Sequence, residues 1–306
     1  MERRTVREVY ERGRNTLSRA GLQSPAFDAL CLMERAFGIG DRAALAVRGG
    51  DVAALEAAAL FDSLIERRTR EPLQYILGRW EFDGMPLRVG EGVLIPREDT
   101  MTLVEAACAA LSGRPAPVVL DLCAGSGAVG LAIARRIPGA QVICVEKSPR
   151  ALCYLRSNIA EFGQGRVRCV EGDVLQPPER CAVREACDCI VSNPPYIPSA
   201  DVEGLQWEVR CEPRMALDGG SDGLTFYRAI CELWKPLLKT GDGTAGGILA
   251  FETGYDIRDG VIDVMRRAGV GHIDVVKDFG GIDRCIFGTA VSKMQISSCS
   301  ILKNDI

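Results

Sequence analysis

From Val118 onward the chain alternates short apolar runs with stretches of helical spacing, and that alternation leaves it few folds. VVLDL at 118–122, QVICVE at 141–146 and VRCV at 167–170 read as strands, as do CDCIV at 187–191 and GGILAFE at 246–252. Helices are predicted from Ser148-Pro149 to about Asn158, over 224–238 and over 257–268. Two closing strands, 273–276 and 284–288, flank Asp278-Phe279-Gly280-Gly281. The pattern predicts a doubly wound α/β sheet, in which ligands bind at the carboxyl ends of the strands.

The residues at those ends are unusual for a core. Cys123-Ala124-Gly125-Ser126-Gly127 follows the first strand, and its small residues let the backbone approach a ligand closely. The spacing is not the full dinucleotide glycine pattern. Glu146 ends the second strand 19 positions after Gly127, near the ~20 expected of a carboxylate that accepts from both ribose hydroxyls. Asp173 ends the third strand, placed either to accept from an adenine amine or to serve as a turn aspartate. The fourth strand runs into Ser192-Asn193-Pro194-Pro195-Tyr196-Ile197. Each proline lacks an N–H but keeps its carbonyl, so Asn193 Oδ1 and the Pro194 carbonyl form an acceptor-rich edge beside the Tyr196 ring. Such an edge suits a planar group carrying N–H donors, an amide or an exocyclic amine. The alternative is a plain Pro-Pro turn with a buried tyrosine. The stretch 198–222 carries few strand signals and is well placed to wall a pocket.

Composition narrows the chemistry. The 37 basic and 41 acidic residues give a formal charge of −4, which argues against wide, non-specific capture of nucleic acid. No run approaches the ~18 uncharged apolar residues of a membrane span, and the Met1-Glu2-Arg3-Arg4 start carries no apolar targeting region; a cytoplasmic enzyme is expected. The 13 cysteines are scattered without a C-x2-C pair, and His272 is the single histidine, so no metal site is expected. Most of the cysteines read as small core hydrophobes in a reducing compartment. With the usual general base missing, the chemistry falls to carboxylates, amides and positioning.

Residues 1 to about 75 read as a helical domain. Val6, Val9, Tyr10 and Leu17 share one helix face; Ser24 is the expected N-cap of a second helix, with Pro25 at its first position and Gly38 as its stop. Asp51 is the expected cap of a third, with Leu55, Leu60, Leu64 and Ile65 as its apolar stripe. A linker over 76–98 follows, with a hairpin of Trp80-Glu81-Phe82 and Leu87-Arg88-Val89 about Asp83-Gly84 and then the charged turn around Pro96-Arg97-Glu98. That turn is either a helix cap or a lid over a cofactor, the lid residues being Arg97 and Thr100. The main domain is expected over 99–290, with a fraying polar tail over 291–306.

EPLQYILG at 71–78, VLIPREDT at 93–100, DLCAGSG at 121–127, NPPYI at 193–197 and GGIDR at 280–284 occur in an order that resembles the family of S-adenosylmethionine-dependent methyltransferases acting on bacterial peptide chain release factors. The resemblance spans nearly the whole chain. It implies a class I methyltransferase fold: a seven-stranded, mostly parallel sheet with a closing antiparallel strand, plus an amino-terminal helical domain that helps engage the release factor. It implies methylation of the glutamine N5 in a Gly-Gly-Gln motif, with S-adenosylmethionine as cofactor and S-adenosylhomocysteine as product. From the composition no metal and no stable nucleic-acid partner are expected, and a monomer is expected. By the same resemblance Asp121, Gly125 and Gly127 lie along the methionine part of the cofactor, Glu146 holds the ribose, and Asp173 lies near the adenine. Asn193 and Pro194 hold the glutamine amide, with Pro195 and Tyr196 completing the substrate shelf. Cys123, Ala124, Glu146 and Glu98 depart from the usual glycine, threonine, aspartate and proline. Two other readings share these motifs: an adenine-N6 methyltransferase acting on a flipped base, and a non-catalytic interaction protein on the same fold.

Overall fold

The computed structural model describes residues 4–241 and 246–290, and the expected tail at 291–306 lies outside them. The chain divides into two compact units, Met1–Arg79 and Trp80–Ile306.

The first unit is helical. Helix α1 (Val6–Arg19) opens on a capping box in which the Thr5 hydroxyl accepts from Glu8 N and Glu8 Oε2 accepts from Thr5 N. It buries Val6, Val9, Tyr10 and Leu17, as the spacing predicts. Gly13 completes that face: a Cβ there would lie 2.4 Å from the Phe61 ring, so the missing side chain lets the ring in. Helix α2 (Pro25–Phe37) starts on its proline and stops at Gly38, whose φ of 64° suits glycine, but the Ser24 side chain makes no capping bond. Asp51 does not cap the next helix. Asp41 caps a short α3 (Arg42–Arg48) instead, and α4 (Leu55–Arg68) begins after Ala54. The apolar stripe of α4 is Phe61, Leu64 and Ile65, while Leu55 and Leu60 are 70% and 45% exposed. Phe61 is the larger apolar group, and turning it inward carries Leu60 to the rim. A buried ion pair at 2.7 Å, Arg68 to Asp28, ties α4 to α2, and α5 (Leu73–Leu77) ends the unit's helices.

Strands β1 (Arg79–Phe82) and β2 (Met85–Arg88) form the expected hairpin. Asp83 and Gly84 both have positive φ, 50° and 71°, as a two-residue hairpin turn requires. The main sheet then builds from β3 (Val118–Leu122), β4 (Gln141–Glu146), β5 (Val167–Glu171), β6 (Cys189–Ser192), β7 (Ile248–Glu252), β8 (Val270–Lys277) and β9 (Asp283–Ala290). Their order is β5-β4-β3-β6-β7-β9-β8, with β9 antiparallel to both neighbours and the other pairs parallel. Strand β6 begins two residues later than its apolar pattern suggests, because Cys187 instead forms an isolated bridge with Leu238.

Alternation along the strands builds two cores. Val119, Val142, Cys144 and Val191 face α6 (Met101–Ala110), α7 (Ala128–Arg136) and α8 (Pro149–Phe162). Leu120, Ile143, Val145 and Leu249 face the other way, toward Tyr227, Trp234 and Met265. Five of the twelve described cysteines, Cys144, Cys187, Cys189, Cys231 and Cys285, are free and buried, while Cys153 and Cys211 are exposed, so fewer of them are core hydrophobes than their apolar surroundings in the sequence suggest. The region 198–222 contributes short turns and α9 (Trp207–Arg210). The helix expected over 224–238 is α10 (Thr225–Ala229), running into a wider turn over Ile230–Trp234 and a tighter one over Lys235–Leu237, where Pro236 removes a helical donor. Helix α11 (Arg258–Arg267) completes this layer.

Candidate active site

The strand order reverses between β3 and β6, and the chain leaves their carboxyl ends in opposite directions. Leu122 and Ser192 are register partners there, and the Ser192 hydroxyl donates to the Leu122 carbonyl at 2.6 Å. A cavity of about 370 Å³ opens over this crevice, within the ~300–1,000 Å³ usual for small-ligand sites. Asp121, Gly125, Glu146, Asp173, Asn193, Pro195, Arg97 and Thr100 line it. Gly127, Pro194 and Tyr196 fall outside its lining. Gly127 has a φ of 85° and caps α7, while the Tyr196 ring packs with the second core and lies near Gly254.

Glu146 does more than end a strand. Its Oε2 accepts from Gly125 N at 2.8 Å and its Oε1 from Ser148 N at 2.7 Å, so one carboxylate ties the glycine turn to the start of α8. Burial raises its carboxyl above the usual range, and backbone donors at Ser148, Gly125 and Lys147 act against that shift. A carboxylate has about four acceptor positions, so acceptor capacity remains for ligand hydroxyls. Asp121 is 1% exposed and accepts from Gly130 N at 2.8 Å, which pins α7 onto β3. Asp173 is more committed than the sequence suggests: Oδ1 accepts from Leu175 N at 3.0 Å and Oδ2 pairs with Lys147 at 2.8 Å. Cys123 has a φ of 61°, in the left-handed region that favours glycine, which gives a backbone reason for the glycine usual in the family.

The charged turn before α6 is held from across the cavity. Glu212, its side chain 1% exposed, accepts from Ile95 N at 2.9 Å and pairs with the Arg97 guanidinium. Burial raises the Glu212 carboxyl while Arg97 pulls it down. The sequence marks Arg97 as a lid residue, but nothing in it marks Glu212, which lies in the stretch with few strand signals. Nor does it mark Thr100 as a link: Asn193 Nδ2 donates to Thr100 Oγ1 at 3.5 Å.

The lining suits S-adenosylmethionine. Four carboxylates, Asp121, Glu146, Asp173 and Asp218, face two cations, Arg97 and Lys147, a balance that favours a cationic ligand over a pyrophosphate. Val145, Val174, Leu175 and Phe226 supply apolar wall for a flat base. Among the described residues no group of three His, Cys, Asp or Glu is placed to hold a metal, and no helix is long and apolar enough to cross a membrane.

A release factor glutamine methyltransferase of Geobacter sulfurreducens is 41% identical over 93% of this chain and 96% of its own length. The chain belongs to the release factor glutamine methyltransferase family. A second member, from Moorella thermoacetica, is 37% identical over 92% of this chain and 97% of its own. Residues 8–78 match the family model described as PrmC N-terminal domain, and 105–211 match one described as Conserved hypothetical protein 95. The solved hMettl16 catalytic domain, in complex with a 3'UTR hairpin, superposes with a TM-score of 0.56 at 13% identity, covering 75% of this chain and 83% of that one; it supports the fold alone. The fold is thus the class I methyltransferase fold, the chain is an enzyme, and its cofactor is S-adenosylmethionine.

Two buried acids predict a pH response of the cofactor-free protein. Burial pushes Asp121 up to about 7, against the Gly130 N–H bond, and pushes Glu252, at the end of β7, up to about 7. Stabilisation from an acid raised in the folded state is complete below the ordinary carboxylate range and is lost as pH climbs through the folded value. The Tm of the cofactor-free protein is therefore expected to fall from pH 5 to pH 8 in a calorimetric series, with a shallower fall in Glu252→Gln. A Tm that rises across that window would contradict the two burials.

Proposed function

We propose that this enzyme transfers a methyl group from S-adenosylmethionine to the N5 nitrogen of the glutamine in the Gly-Gly-Gln motif of peptide chain release factors, in the cytoplasm. The observation that carries the reading is the orientation of Asn193. Its Nδ2 is engaged by Thr100, which leaves Oδ1 as an acceptor at the rim of the cofactor cavity. An amide nitrogen is a poor nucleophile because its lone pair is delocalised into the carbonyl. The cofactor's sulfonium supplies an activated methyl. Glu146 would hold the ribose hydroxyls, and the Gly125 turn it supports would hold the methionine portion. Asn193 Oδ1 and the Pro194 carbonyl accept the two amide hydrogens, so the nitrogen faces the methyl donor. Both contacts strengthen as positive charge develops on that nitrogen, which then gives up one of its two hydrogens as a proton through the accepting oxygen to solvent, leaving the neutral methylated amide and S-adenosylhomocysteine. Pro195 shapes the slot, and Tyr196 backs the shelf from the core side and keeps water out. The turn bearing Arg97 covers the cavity.

The test is incubation with labelled S-adenosylmethionine and a release factor, beside matched DNA and RNA. Mass spectrometry is expected to place one methyl on the Gly-Gly-Gln glutamine; label in adenine instead would overturn the substrate assignment. The helical unit is assigned to capture of the release factor. All cavity-lining residues lie in Trp80–Ile306, so removal of 1–79 is expected to lower kcat/KM on the intact release factor by about tenfold or more, with S-adenosylhomocysteine affinity retained. Unchanged kcat/KM in a folded truncated protein would make that unit a stabilising appendage.

A further inference from the structure

Glu252 has no part in the site as described so far. It closes β7 at 2% exposure, and its Oε2 has no hydrogen-bond partner. A buried carboxylate in that condition is costly and marks a place where something other than folding sets the residue. Its neighbours supply the reason. Strands β6 and β7 pair in parallel with Ser192 opposite Phe251, so Asn193 and Glu252 are the next residues along two adjacent strands. Thr100 lies against the Glu252 carboxyl, and its hydroxyl favours the charged form. The same hydroxyl oxygen accepts from Asn193 Nδ2 at 3.5 Å.

A count of hydrogens fixes the direction of this chain. An ionised carboxylate only accepts, and a hydroxyl has one hydrogen. Thr100 must give that hydrogen to Glu252, which leaves only lone pairs toward Asn193. Asn193 therefore turns its NH₂ to Thr100 and its Oδ1 away, toward the slot. We propose that Glu252 is a positioning residue for methyl transfer: acting through Thr100, its carboxylate sets which end of the Asn193 amide meets the substrate. The inference rests on the transfer reaction proposed above and deepens it.

Protonation removes the constraint, because a neutral carboxyl can itself donate to Thr100 and free the threonine hydrogen. Burial places that change near pH 7: Glu252 is pushed up to about 7, against the Thr100 bond and Arg284, with Asp99 raising it further and Arg97 lowering it. Tyr196, Tyr227 and Cys285 also face it. The fixed orientation, and with it the transfer rate, is expected to grow as pH rises through this range.

The experiment compares Glu252→Gln, Thr100→Val, Thr100→Ser and the Glu252→Gln/Thr100→Val double variant with the wild type, at saturating cofactor. Glutamine at 252 can donate to Thr100, so kcat is expected to fall about tenfold or more, with KM and S-adenosylhomocysteine affinity within about twofold. Thr100→Val should fall alike, Thr100→Ser should recover, and the double variant should be no worse than either single one, as members of one chain require. In parallel, the Asn193 side-chain NH₂ signal in ¹⁵N NMR, assigned by its loss in Asn193→Ala, should titrate with a midpoint near 7 in the wild type and not in Glu252→Gln. Additive losses, an unchanged kcat in Glu252→Gln, or a loss that tracks Tm and cofactor affinity would each overturn the positioning role. Should the wild type modify no Gly-Gly-Gln glutamine, the reaction assignment fails and the NMR titration alone decides whether Glu252 orients Asn193.

Discussion

Asn193→Ala is expected to slow single-turnover methyl transfer by ~10²–10³, about 2.7–4 kcal/mol, the scale of deleting one preorganised group that stabilises developing charge. The charge here is positive rather than an oxyanion, but the geometric logic is shared: one of two acceptors on the amide nitrogen is gone, and the slot is wider. The fold should hardly notice. Among the described residues the Asn193 side chain makes a single long hydrogen bond, 3.5 Å to Thr100, and Asn193 lies beyond the last paired residue of β6. Melting temperature and S-adenosylhomocysteine affinity should accordingly stay close to wild type. Asn193→Asp separates charge from shape: it keeps an acceptor, loses the NH₂ that Thr100 engages, and sets a second carboxylate beside Glu252. It is expected to be as slow as alanine. Near-normal turnover by Asn193→Ala, with saturating cofactor and release factor, would remove the shelf from the mechanism.

Glu146→Gln is expected to weaken cofactor binding by roughly 1–3 kcal/mol, or ~5- to 150-fold in Kd. Both carboxylate oxygens accept a backbone N–H, from Gly125 at 2.8 Å and from Ser148 at 2.7 Å. A glutamine has one oxygen, so its NH₂ must face one of those donors, and the glycine turn or the start of α8 is left with an unpaired group. The loss should therefore appear in two readouts, calorimetric affinity for S-adenosylhomocysteine and the Tm of the cofactor-free protein. Unchanged affinity in a folded variant would take Glu146 out of the cofactor site.

What the sequence carried well was local or periodic. Strand β4 runs from Gln141 to Glu146 as its apolar run predicts, and Asp83-Gly84 makes the hairpin turn because few other pairs tolerate two positive φ values. The glycine turn and Asn193 sit together at the switch point because strand order, once parallel, brings carboxyl ends to one edge. The errors came from signals that more than one residue satisfied. Asp41 and Asp51 both precede apolar stretches, and the choice between them depended on which helix the rest of the unit packed, with Asp51 instead giving its carbonyl to Val6 N. Glu252 and Glu212 were silent for another reason. Each acts on residues far away in the chain, Glu212 on Ile95 and Glu252 on Thr100, and neither acid belongs to a repeat or spacing that would mark it.

The double duty of Glu212 has a kinetic corollary. The 92–97 turn and the 213–226 stretch both border the cavity, and one carboxylate holds Ile95 N and Arg97 between them. Parting them leaves a buried carboxylate without its donor and its cation, so the two walls come apart as one cooperative event rather than as two independent fraying loops. Amide hydrogen exchange should then report a single opening free energy for Ile95 N–H and for the amides just after Glu212, and the rate of that shared opening sets an upper limit on how fast spent cofactor leaves by this side.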